Sequence, residues 1–413
     1  MIIKRDYYLQ QLISSKSNNL IKIVTGIRRS GKSFLLFNLF HNHLIETGIS
    51  EDHIIEIALD DRLNKNLRDP DVILRHIHER IVDDKLYYII LDEVQMIDEF
   101  TDVLNSLLHI RNADVYVTGS NSRFLSKDVV TEFRGRGDEI HLFPLSFAEL
   151  YNSVGGDKFE LWKSYYTYGG LPGILELDSD KKKAAYLQSL HETVYLKDII
   201  ERNNLKNSEE FMELMRVMAS GIGSPCNPSK LENTFKSVKN ETLDRKTISK
   251  YLSYMEDAFL IEKSMRYDIK GRKYIGTLSK YYFQDIGLRN ALLNFRQVEE
   301  NHIMENVIYN ELRLRGFCVD VGMVEARTAK ERKQLEVDFV ANMADRRYYI
   351  QSAFAMPDDA KREQECASLK RIDDSFKKII IMRDDIKPYH DNNGFYIVGL
   401  MDFLLKPDLM EQL

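Results

Sequence analysis

The chain has 413 residues, 44% of them apolar and 30% charged, with 10% aromatics and eight prolines. At roughly 150 residues per domain this length divides into about three compact units, and the composition excludes a chain that stays disordered. A formal net charge of −6 excludes a uniformly basic nucleic-acid coat while leaving room for a local basic patch.

At the start, Lys4, Arg5 and Asp6 stand where a secretory apolar core would lie. No stretch approaches the roughly 18 apolar residues of a membrane span, so a cytoplasmic chain with no membrane contact is expected. From residue 20 to about 150, short β-branched runs at 20–25, 54–59, 86–91, 115–118 and 139–143 alternate with helical stretches. This alternation predicts an α/β fold with a mainly parallel sheet covered on both faces. His41/His43 and His76/His78 are two apart in helical stretches, which points each pair to opposite faces rather than to a metal. Cys226, Cys318 and Cys366 have no short paired spacing, so neither a disulfide framework nor a zinc site is expected.

The first strand runs into Gly26-Ile27-Arg28-Arg29-Ser30-Gly31-Lys32-Ser33, followed by Phe34 and a helical stretch. The spacing is that of a phosphate-binding loop between strand and helix. Its glycines let successive backbone N–H groups face phosphate oxygens, and the helix N-terminus adds partial positive charge. Lys32 is expected to reach the β/γ-phosphates of ATP and Ser33 to ligate Mg²⁺, with Gly26, Arg28, Arg29, Ser30, Gly31 and Phe34 lining the nucleotide. At the end of the third run, Leu91-Asp92-Glu93 supplies Asp92 for magnesium and Glu93 to polarise the attacking water. The fourth run ends in Thr118-Gly119-Ser120-Asn121-Ser122, whose small polar residues, Ser120 and Asn121 among them, are placed to contact the γ-phosphate or the attacking water. Arg136, before the fifth run, is a candidate to stabilise transition-state charge, either in its own subunit or across an interface.

After Pro144 the pattern turns helical at 146–152, 158–168, 181–188 and 191–203, with a break at Gly169-Gly170-Leu171-Pro172-Gly173. Helices at 208–219, 229–237 and 247–259 precede strand-like runs at 260–267 and 273–278. Three helices and a hairpin make the pattern of a winged helix. The remainder returns to α/β, with helices at 299–315 and 359–373 and strands at 317–322, 335–341, 347–353 and 378–382.

These motifs resemble the AAA-like P-loop ATPases of the STAND and archaeal-ATPase type. Tyr168-Gly169-Gly170-Leu171-Pro172, Tyr195-Leu196-Lys197-Asp198-Ile199, Thr247-Ile248-Ser249-Lys250-Tyr251-Leu252 and Lys280-Tyr281-Tyr282-Phe283-Gln284-Asp285-Ile286-Gly287 are similar to those of bacterial and archaeal ATPases with a C-terminal domain of unknown function of the DUF4143 type. The resemblance implies an ATPase core at 1–150, a helical lid at 151–205, a winged helix at 206–280 and a PD-(D/E)xK nuclease-like domain at 281–413. In that last domain Glu311, Asp338 and Gln351 match the acid, acid and Glu/Gln positions, and Ala353 stands where the lysine belongs. Two oxygen ligands without the base predict a degenerate domain that binds but does not cut, unless Lys333 or another base migrates into the site.

Between 261 and 280 six basic residues oppose two acids, an excess of four positive charges on the predicted hairpin. Lys246, Lys250, Lys270, Arg272 and Lys273 are the candidate DNA contacts. The expected activity is Mg²⁺-dependent hydrolysis of ATP to ADP and phosphate, coupled to movement of the C-terminal domains. The alternatives are a nucleotide-gated switch that binds DNA or a protein partner, and an ATP-dependent nuclease. A homo-oligomer is a candidate assembly.

Overall fold

Each of the first five β-branched runs becomes a strand in a computed structural model of the chain, which describes residues 3–119, 135–239, 243–327 and 332–412. The strands are β1 (Ile21–Thr25), β2 (Ile54–Ala58), β3 (Tyr87–Asp92), β4 (Ala113–Thr118) and β5 (Gly137–His141). They form one sheet in the order β2-β3-β4-β1-β5, every pair parallel.

Period-two alternation splits their side chains between two cores. Ile21, Ile23, Ile55, Ile57, Ile89, Leu91, Val115 and Val117 face one side, packed against Ile73 and Ile77 of helix Pro70–Arg80 and Val103, Leu104 and Leu107 of helix Phe100–Leu107. Val24, Ile54, Tyr88, Ile90, Tyr116 and Ile140 face the other, against Tyr8 and Leu12 of helix Asp6–Ser14 and Leu35, Leu36, Phe40 and Leu44 of the stretch after the glycine-rich loop. That stretch is helical from Lys32 to Glu46, with a widened π-turn at Leu35–Phe40. Lys22, fully buried in β1, is tolerated because Asp114 of β4 pairs with it.

The described chain gathers into two compact units. The first comprises Met1–Pro144, Leu171–Glu176 and Asp257–Phe259, and the second Leu145–Gly170, Leu177–Glu256 and Leu260–Leu413. The backbone therefore passes between units after Pro144, Gly170, Glu176, Glu256 and Phe259.

In the second unit helix Phe147–Val154 begins at a capping box of Ser146 and Glu149, and Asp157 caps helix Lys158–Tyr168. Helix Asp180–Leu190 continues through a π-turn, His191–Leu196, into Lys197–Asn203. Helices Ser208–Ser220, Pro228–Thr234 and Arg245–Asp257 precede a hairpin of β6 (Ile261–Asp268) and β7 (Lys273–Phe283). The remaining strands are β8 (Cys318–Arg327), β9 (Arg332–Met343), β10 (Arg346–Ala353), β11 (Lys377–Met382), β12 (Tyr389–His390) and β13 (Tyr396–Gly399).

All eight join one sheet, β12-β13-β11-β10-β9-β8-β6-β7. The hairpin is not free-standing, since β6 pairs in parallel with β8, Arg266 opposite Val321. β7 runs five residues past the expected 278, so the segment from Lys280 to Phe283 is strand. The helix expected over 359–373 ends at Cys366, giving way to a short turn at Leu369–Arg371.

Candidate nucleotide site

The glycine-rich loop emerges from the C-terminal end of β1, the end of the sheet at which the parallel strands β4, next to it, and β3, beyond β4, also finish. Gly26 has φ 137°, and a Cβ there would lie 2.2 Å from the carbonyl oxygen of Leu142. Only glycine fits so close a backbone approach. Gly31 lies at the N-terminus of the following helix, and Leu35 N–H already bonds its carbonyl at 2.9 Å. Ser30 is buried, Arg28 is half-buried, and Arg29, Ser33 and Phe34 are exposed.

Lys32 is buried at 5% exposure, and its ammonium donates to the carbonyls of Gly26 and Ile27 at 3.0 and 3.1 Å. The lysine thus folds back across its own loop. Burial pushes its pKa down to about 8, aided by Arg28 and opposed by Glu93 and Asp92. Asp92, 3% exposed at the tip of β3, is pushed above the ordinary carboxylate range by burial and by Glu93 and Asp60. Hydrogen bonds from the hydroxyls of Ser33 and Thr118 act in the opposite direction. The Ser33 hydroxyl thus stands beside the Asp92 carboxylate. A hydroxyl beside a carboxylate forms a hard-oxygen pair that fits a magnesium ion.

Glu93 takes a left-handed backbone, φ 52° and ψ 48°. Its N–H donates to the Thr118 hydroxyl at 2.9 Å, and the Gln95 carboxamide donates to its carboxylate. Thr118 therefore braces both acids. Arg5 braces the loop from behind: it is 4% exposed and donates to the carbonyls of Ser30 at 3.2 Å and Phe143 at 2.7 Å. Thr118 belonged to a motif singled out in the sequence, but nothing local signalled the contacts of Gln95 and Arg5.

Ser120 and Asn121 lie outside the described residues. Arg136 sits at the N-terminal end of the parallel strands, opposite the C-terminal end from which the loop emerges. Its carbonyl accepts from Ile21 N–H at the start of β1, and its guanidinium lies 3.5 Å from the Asn105 carboxamide oxygen. It does not join Lys32, Ser33, Asp92 and Glu93.

In the second unit the expected Asp338 and Gln351 lie on the paired strands β9 and β10, and Ser352 N–H, next to Gln351, donates to Asp338, whereas Glu311 is engaged elsewhere. Glu311 pairs with Arg315 at 2.7 Å on its own helix. The acid of that helix that reaches Asp338's neighbourhood is Glu305, with Glu336 of β9, and Lys280 lies among all three. Ala353 is buried in an apolar cluster with Tyr349, Ile380 and Met382, and Lys333 is exposed.

Lys246, Lys250, Lys270, Arg272 and Lys273 are all exposed. Two other cations counted on the hairpin, Arg266 and Lys280, are buried at 8% and 2%. The excess of four positive charges therefore overstates what the surface presents. Among the described residues no helix is long and apolar enough to cross a membrane.

A family profile described as an AAA domain matches residues 18–151, and one described as a domain of unknown function (DUF8612) matches residues 159–299, where a DUF4143 type was expected. An uncharacterized protein of Haemophilus influenzae is 33% identical, the match covering 98% of this chain and 99% of the relative. The uncharacterized protein MJ1544 of Methanocaldococcus jannaschii is 28% identical, covering 90% and 82%. Among solved structures, the Aeropyrum pernix ORC1 protein in complex with DNA is 12% identical, covering 71% of this chain and 92% of that one with a TM-score of 0.30, too loose a likeness to carry an argument.

Proposed function

From a chain that belongs to the same family as the Haemophilus influenzae protein and carries an AAA domain of the P-loop ATPase type, we propose Mg²⁺-dependent hydrolysis of ATP to ADP and phosphate, coupled to movement of the C-terminal half. The observation that carries this reading is the buried Lys32 folded onto the glycine-rich loop, with the buried Asp92 at the tip of β3 beside Ser33. Lys32 leaves the loop carbonyls to neutralise charge on the β/γ-phosphates, while loop N–H groups and the helix N-terminus hold the remaining oxygens. Magnesium held by Ser33 and Asp92 would supply further charge neutralisation between the β- and γ-phosphates. Glu93 takes the water's proton, and Thr118 holds the two acids at the strand tips. Arg136, at the opposite end of the strands from the loop, would act as a finger only on the nucleotide of a neighbouring copy.

Calorimetric titration with ATP and a phosphate-release assay test this. Lys32→Ala is expected to lose nucleotide binding, and Glu93→Gln to bind normally and lose turnover. Full turnover in Glu93→Gln would remove Glu93 from its role.

A second reading is favoured by five exposed cations, Lys246, Lys250, Lys270, Arg272 and Lys273, on helix Arg245–Asp257 and the hairpin. Three helices followed by a hairpin support a winged-helix reading, with DNA neutralising these charges. Under it the chain is a nucleotide-gated switch with little turnover. Duplex DNA that raises turnover in the wild type, and no longer does when Lys270, Arg272 and Lys273 are neutralised, supports it. Equal salt-insensitive behaviour of the two proteins points to a protein partner instead.

A further inference from the structure

Lys280, on β7, has a side chain only 3% exposed, and its ammonium lies 2.8 Å from Glu305, 2.8 Å from Glu336 and 3.9 Å from Asp338. The four groups come from three elements: β7, helix Glu300–Leu314 and β9. A fourth, β10, contributes the Ser352 N–H that donates to Asp338 at 2.8 Å, and the Tyr282 hydroxyl of β7 donates to Glu305 at 2.8 Å. Three carboxylates brought this close repel one another unless a cation sits among them.

We propose that Lys280 is the resident cation of this cluster, occupying the place a divalent metal would take, so that the second unit binds no metal there. The spacing carries the proposal. The ammonium lies at hydrogen-bond distance from two of the acids and close to the third, so the point among the carboxylates where a divalent ion would draw its oxygen ligands is already filled by a cation. Among the described residues no group of three or more His, Cys, Asp or Glu side chains is arranged to hold a metal ion. The nuclease-like positions agree: Glu311 is engaged with Arg315, and the buried methyl of Ala353 offers no base.

Lys280 lies on β7, not on the β10 strand where the resemblance expects a lysine, and there it neutralises the acids. Metal-dependent phosphodiester cleavage then has neither its ion nor a free carboxylate pair, and the reading of the chain as an ATP-dependent nuclease is set aside. This inference is independent of the ATPase site, since none of its residues is shared.

The test is a titration of the full chain with Mn²⁺ in the absence of nucleotide, read by the loss of the free-ion EPR signal and by thermal midpoint. Wild type and Asp338→Asn should take up Mn²⁺ equally. Lys280→Met, which keeps the aliphatic stem, should gain one site per chain, with a higher midpoint in Mn²⁺, and Lys280→Met/Asp338→Asn should lose it again. Uptake by wild type that Asp338→Asn abolishes would overturn the proposal, as would a folded Lys280→Met that gains no site. If Lys280→Met does not fold, wild type against Asp338→Asn decides alone.

Discussion

Lys32 illustrates how a residue can be legible in its identity and hidden in its chemistry. The motif spacing encodes its place, and with it Ser33, Asp92 and Glu93, because the strand-loop-helix geometry is local. The lowered pKa, about 8, comes from burial and is not local. It sets a pH dependence. Below about pH 8 the ammonium is already formed, so nucleotide affinity should be flat; above that pH each binding event must take up a proton, and affinity should weaken about tenfold per pH unit. Calorimetric titrations from about pH 6.5 to 9.5 check this, with Lys32→Arg as a variant that stays charged throughout. A wild-type profile flat to the upper limit would sink the assignment.

Thr118 is 26 residues from Asp92, and no local pattern announces that its hydroxyl braces both acids. Thr118→Val should bind ATP normally and lose about 10²-fold in kcat, as expected when a water-polarising group is misplaced. Glu305 against Glu311 is the opposite lesson. Both are acids of one helix, and six steps of about 100° put them on different faces. Sequence similarity selected one; the packing around Lys280 selected the other.

At the scale of elements, the Tyr168-Gly169-Gly170 and Gln284-Asp285-Ile286-Gly287 motifs were visible only as resemblances, and their contact gives them a physical meaning. Asp285 caps helix Ile286–Leu292 through Leu288 N–H and also accepts from Gly170 N–H at 2.8 Å. Asn290 donates to the carbonyls of Tyr166 and Thr167, each at 2.9 Å. A Cβ on Gly169 would lie 2.4 Å from the Asp285 carboxylate. Gly169→Ala must displace that cap, and its expected cost is about 1–3 kcal/mol, read by urea denaturation of the full chain. Helices with caps and strands with long apolar runs were legible. The two-residue β12 was not, because so short a strand has no pattern of its own, and β7 ran long because its second half pairs with β6 and bridges Cys226.

For the whole molecule, length suggested about three units and the described residues form two, because the hairpin shares a sheet with the C-terminal strands. The bland total charge of −6 hid five exposed cations on helix Arg245–Asp257 and the hairpin, and the hairpin count in turn hid two buried ones. Sequence counts charges without knowing which way a strand faces. The backbone's repeated passage between the units has a consequence for dissection. A fragment ending near residue 150 carries the entire nucleotide motif yet lacks Leu171–Glu176 and Asp257–Phe259, which belong to the same unit. Such a fragment should be less stable than the unit within the full chain, measured by hydrogen exchange at β1 and β4. No single cleavage of the polypeptide yields the two halves intact, so the engine of this protein is not a cassette that can be lifted out and transplanted.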